Sequence, residues 1–141
     1  MKDAWDRIGA WLAANAPEML SSLRPGATRG EIRAAEAAMG VVFPDDMVAS
    51  YLVHDGQEEL SYGLMGEWDL LSLELMTIQW EGMRDLPADD QPRDVDNPAA
   101  PVRPEYWNPR WVPVAYNGGG NLHCVDLDPA PAGIMGQMVT S

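Results

Sequence analysis

The chain has one cysteine, Cys124, one lysine, Lys2, and one phenylalanine, Phe43, in 141 residues. A single thiol excludes any disulfide within the chain, which suits a reducing compartment. Positive charge is scarce: nine lysine and arginine residues face 22 acids, a net charge of −13. Phosphate backbones and anionic lipid surfaces both need cations, so a nucleic-acid or membrane-surface role is disfavoured. The N-terminal residues lack the basic run and ~7–15-residue apolar stretch of a secretory signal. Nowhere do the apolar residues run for the ~18 positions that a membrane span requires. These absences lead us to expect a cytoplasmic chain.

What is present is enough for a core. Hydrophobic residues make up 46% of the chain, with six tryptophans and nine methionines, and the length fits one domain. A basic protein partner would be attracted by the acid excess and its approach accelerated.

The first half reads as helices. Trp5, Ile8, Trp11 and Leu12 recur at three- and four-residue steps, expected to share one face, and Pro17 closes the pattern. After Arg24-Pro25-Gly26, Thr28 and Glu31 form a capping box, with Ile32, Ala35 and Met39 as the stripe behind it. Gly40 is placed to stop this helix. Pro44, Asp45 and Asp46 suit the start of a third helix, whose buried face is Val48, Tyr51 and Leu52 and which Gly56 is expected to end. Leu60 to Leu71 suggests a hairpin. Ser72 can cap a fourth helix bearing Leu73, Met76, Trp80 and Met83.

From Asp85 to Glu105 the chain is loop-like, with five prolines and six acids against two arginines, a length that is uncommon unless functional. The last third reads as β: Trp111 to Tyr116, with Pro113 implying an edge or a bulge, then Leu122 to Leu127, then Ile134 to Thr140. Turns at Asn117–Asn121 and Asp128–Gly133 would join them into an antiparallel meander.

The ordered set Glu31, Glu36, Phe43-Pro44-Asp45, Tyr51, His54-Asp55-Gly56-Gln57, Trp111-Val112-Pro113-Val114-Ala115, Cys124 to Pro129 and Gly133 to Gln137 resembles the SUKH superfamily. That superfamily includes the yeast Smi/Knr-type regulators of cell-wall assembly. The likeness runs from about Trp5 to the end. It implies an α+β fold, a mostly antiparallel or mixed sheet with helices packed around it, in one domain over 1–141. It implies no cofactor. The bacterial members it brings to mind bind and neutralise toxins, often nucleases, so the leading expectation is an immunity-type protein that occludes a basic toxin domain. A regulator or scaffold of cell-wall assembly is the alternative. The family usually continues with another strand and helix; without them a sheet edge would be open to a second copy, which allows a homodimer.

A catalytic or metal reading would choose His54, Asp55, His123, Cys124 and Asp126. Their spacing matches no zinc motif, and adjacent His123 and Cys124 on a strand face opposite ways. A small hydrolase built on His54, Cys124 and Asp126 is the least favoured alternative, so neither catalytic nor metal-binding residues are expected. Structural roles are expected for Glu36, accepting backbone amides near the 40s loop, for His54 and Gly56 at a helix end, and for Trp111 and the small buried Cys124. The glycines at 118–120 lack the lysine of a phosphate loop and suit a turn. Partner binding is assigned to acids beside aromatics: Glu58, Glu59, Glu67, Trp68, Asp69, Asp89, Asp90, Tyr106 and Trp107.

Overall fold

The computed structural model describes residues 1–58, 64, 66–85, 100–103 and 107–140. In chain order the elements are α1 (Lys2–Asn15), α2 (Pro17–Ser22), α3 (Arg29–Met39), α4 (Asp45–Val53), β1 (Asp69–Leu70), α5 (Leu73–Arg84), β2 (Trp111–Tyr116), β3 (Leu122–Asp126) and β4 (Gln137–Thr140). The four strands form one antiparallel sheet in the order β1-β2-β3-β4. This is the α+β arrangement that the resemblance implies.

The helix boundaries follow local chemistry. Thr28 Oγ1 accepts from the Glu31 amide at 3.1 Å, and Glu31 accepts from the Thr28 amide at 3.0 Å, so two otherwise orphaned donors at the start of α3 are satisfied. Hydrogen bonds to the Glu31 carboxylate, from the Thr28 amide first and then from the Thr28 hydroxyl, hold that carboxyl below its ordinary pKa. Gly40 ends α3 in the left-handed conformation, φ 66°. Ser72 Oγ accepts from the Leu75 amide and starts α5.

Burial sorts these elements. Ile32, Ala35 and Met39 of α3 and Leu73, Met76 and Trp80 of α5 pack with Met47 and Tyr51 of α4 against Val112, Leu122, Cys124 and Val139 of the sheet. A smaller cluster of Trp5, Leu12, Met19 and Leu23 ties α1 and α2 to the body.

Proline shapes the sheet. Pro113 sits opposite Cys124 and Ala115 opposite His123, so β2 carries one extra residue there. β1 reaches only as far as Ala115 and Tyr116. The missing amide of Pro113 thus lies beside the bulge, where regular pairing is already interrupted.

Four expectations need correction. Trp11 is 61% exposed and Ile8 37%, because only Trp5 and Leu12 of the α1 stripe meet the body of the protein. The 60–71 segment contributes β1, which pairs with β2 from the last third of the chain; residues 60–63 and 65 lie outside the described set. β4 starts at Gln137, because the backbone turns at Gly136, φ 84°. Gly56 does not end α4, which stops at Val53 with His54 as its cap; it makes a close backbone crossing instead.

Candidate functional site

The 54–57 stretch is a structural joint. His54 Nδ1 lies 2.7 Å from the Arg24 carbonyl oxygen. A carbonyl only accepts, so Nδ1 carries the proton and donates. Asp55 is buried, and its Oδ1 accepts from the Leu73 amide at 2.8 Å, a second acceptor at the positive end of α5. The Arg24 guanidinium stands 3.9 Å from the other Asp55 oxygen. Gln57 Oε1 accepts from the Leu64 and Leu70 amides at 3.1 and 3.0 Å. The joint thus fastens the end of α4 to β1 and α5. Glu36, half-buried, accepts from the Phe43 amide at 2.8 Å and shapes the turn between α3 and α4.

The residues a catalytic reading would choose do not converge. Cys124 is fully buried, while His123, its neighbour, faces the other way and is half-buried, with Nδ1 2.9 Å from Thr140 Oγ1. Asp126 is also fully buried and accepts from the Asp128 amide at 2.9 Å and from Gln137 Nε2 at 3.0 Å. Its place is the turn leading out of β3. Among the described residues no three histidine, cysteine, aspartate or glutamate side chains are placed to share a metal ion. Likewise no described helix is long and apolar enough to cross a membrane.

Burial, and secondarily the Asp126 charge, push the Cys124 thiol up to about 12 from 9.0. A thiolate reagent at pH 8 is therefore expected to label Cys124 at the rate at which the protein opens. Labelling of the native protein as fast as free cysteine would contradict that burial. The same shift has a pH sign. The folded value lies above the unfolded one, so this contribution is intact below pH 9 and is lost as the pH rises toward 12. Tyr51 is raised in the same direction, by burial first and then by Asp55, so alkaline unfolding above pH 9 is the expected result in a pH-dependent melting series.

The acidic and aromatic candidates divide. Glu67 is exposed, and beside it Trp68 stacks on His123 with ring centroids 3.6 Å apart and planes 27° from parallel. Asp69 follows in β1. These residues form one group at the β1 end of the sheet. Glu58 is exposed, its amide bonded to the Ser22 carbonyl at 2.7 Å. Trp107 goes elsewhere: half-buried, it packs on the core edge-to-face with Trp111 at 5.8 Å. Glu59, Asp89, Asp90 and Tyr106 lie outside the described residues.

Spacing alone does not reveal a cleft of about 540 Å³ between α1, α4 and the sheet. Its apolar lining includes Trp5, Met47, Leu70, Val114, Val125 and Met138, and its polar lining Asp46, Ser50 and His54. Side chains two apart on a strand share a face. Val125 and Met138 therefore lie on the same sheet face as His123 and Thr140, pairing through Ala115 puts Leu70 there too, and Trp68 stacks on that His123. Alternation on β3 and β4 is the only sequence signal for this face, and it cannot show that α4 stands off from the sheet.

Residues 26–139 match the family model described as SMI1 / KNR4 family (SUKH-1). Among similar curated proteins, the glucan synthesis regulatory protein of Neurospora crassa is 27% identical over 96% of this chain and 32% of its own length. The cell wall assembly regulator SMI1 of Saccharomyces cerevisiae is 28% identical over 97% of this chain and 34% of its own length. F-box only protein 3 of Homo sapiens is 39% identical over 50% of this chain and 15% of its own length. The chain thus spans about a third of the length of the two fungal relatives, 32% and 34%, and less of the third.

Proposed function

This chain belongs to the SMI1 / KNR4 family (SUKH-1), and from that premise we propose that it is a protein-binding regulatory domain of cell-wall assembly with no catalytic chemistry of its own. The observation that carries this reading is that two fungal relatives, each aligned with nearly all of the chain, are named as regulators of glucan synthesis and of cell-wall assembly. The buried, poorly ionised Cys124 and the dispersal of His54, His123 and Asp126 support action by binding. A charge of −13 favours a basic protein as partner.

Neutralisation of a basic toxin, in the cytoplasm of the producing cell, is the second reading. The same acid excess favours it, but no named relative does. Deleting the gene in cells that carry no toxin gene separates the two. The regulatory reading expects greater sensitivity to wall-digesting enzyme, restored by the intact gene. An unchanged wall together with sensitisation to a toxin encoded beside the gene would overturn it in favour of immunity.

A further inference from the structure

Resting on the reading of this chain as a protein-binding domain, we propose that the cleft between α1, α4 and the sheet is where the partner docks, and that it receives one large apolar side chain of a basic polypeptide. Its volume, about 540 Å³, falls within the ~300–1,000 Å³ of pockets that engulf a ligand group. Its floor is aliphatic, Leu70, Val114 and Val125, and its wall includes the Trp5 ring. Met138 lines the cleft and is 54% exposed, so apolar surface is presented to solvent at the mouth. Met47 and Met138 are unbranched and polarisable, able to adapt to a flat or an elongated side chain.

The polar lining selects the charge of the occupant. Asp46 lies at the cleft in the first turn of α4, with exposed Asp45 next to it. Among the described residues no lysine or arginine lines the cleft, although Met1 does. His54 donates through Nδ1 to the Arg24 carbonyl, which leaves Nε2 of the neutral ring an acceptor. Ser50 Oγ already accepts from Trp5 Nε1 at 2.8 Å. Glu67 adds negative charge beside the Trp68–His123 stack at the other end of this face. Asp46 at the apolar well, with Asp45 beside it, suits an apolar side chain flanked by lysine or arginine and repels an acidic segment. Trp68 reaches this face through its stack on His123, whereas Trp107 is committed to the core.

The probe is an acetylated, amidated pentapeptide with phenylalanine between two pairs of lysines, titrated into the isotope-labelled full chain and followed by amide chemical shifts. Two control peptides replace the phenylalanine with alanine or the lysines with glutamates. We expect shifts concentrated at Leu70, Val114, Val125 and Met138, and binding about tenfold weaker for each control, the scale of a buried anchor or a lost charge complement. Met138→Glu, with the thermal midpoint retained, and Asp46→Lys, with the midpoint lowered by loss of a first-turn carboxylate of α4, should each weaken the lysine peptide by about fivefold to tenfold. If either variant fails to fold, Met138→Gln and Asp46→Asn replace it. Equal binding of the alanine peptide, shifts centred elsewhere, or no shift at millimolar peptide would each overturn the proposal. A normal cell wall in cells carrying Asp46→Lys or Met138→Glu, beside a wall defect on gene deletion, would remove the cleft and leave the regulatory reading standing.

Discussion

Gly56→Ala is expected to cost about 3–5 kcal/mol, a large part of the ~5–15 kcal/mol that holds a domain folded. Two effects add. Gly56 has φ +69°, where an L side chain costs roughly 1–2 kcal/mol. A Cβ there would also land on the backbone amide of Ser72 and 2.7 Å from the Leu71 carbonyl oxygen. Backbone cannot swing aside as a flexible side chain can, so either the Asp55–Leu73 bond or the β1–α5 connection must shift. Gly40 supplies the control: its φ is +66°, but nothing lies within 4 Å of an added Cβ. Gly40→Ala should lose only the conformational ~1–2 kcal/mol. Urea denaturation of the two variants reads the difference directly, and equal losses would show that the close crossing at Gly56 contributes nothing.

Trp111→Ala is the second large effect, expected at about 3–5 kcal/mol from lost burial and the cavity left behind. Trp111 is 1% exposed and has Trp107 packed edge-to-face against it. Its indole N–H is buried with no hydrogen-bond partner among the described residues. Removing that donor therefore forfeits no bond. Trp111→Phe should consequently recover most of the stability, leaving a deficit of about 1–2 kcal/mol from the smaller ring. A phenylalanine variant as unstable as the alanine variant would mean that the N–H is bonded after all.

The two variants also indicate why Gly56 and Trp111 keep company with His54, Asp55 and Gln57 in the ordered pattern that resembles the family. Asp55 and Gln57 hold β1 and α5 to the end of α4 through bonds spanning 18 and 13 residues. They are recognisable in sequence because the fold demands them, and they offer little to a partner. The docking face is made of different residues: Asp46, Leu70, Val125 and Met138. None of these is unusual in type, and only their packing around one cleft sets them apart. Of the acids and aromatics singled out in the sequence, Trp68 stacks on His123 with Glu67 and Asp69 its neighbours in the chain, and Trp107 does not join them.

The sequence by itself determined what depends on near neighbours along the chain. The Thr28–Glu31 capping box closes over three residues, Gly40 stops α3 through its own backbone freedom, and Pro113 removes an amide wherever it is placed. The α5 stripe of Leu73, Met76 and Trp80 follows from helical geometry alone. Tertiary structure decided the rest. Which side of α1 meets the protein, and so leaves Trp11 in solvent, depends on α2 and α4. The pairing of β1 with β2 joins Asp69 to Tyr116 across 47 positions, and no local energy term selects that partner. The cleft exists because α1 and α4 stand over a twisted sheet face without filling it, a property of packing between distant segments that no single stretch of residues encodes.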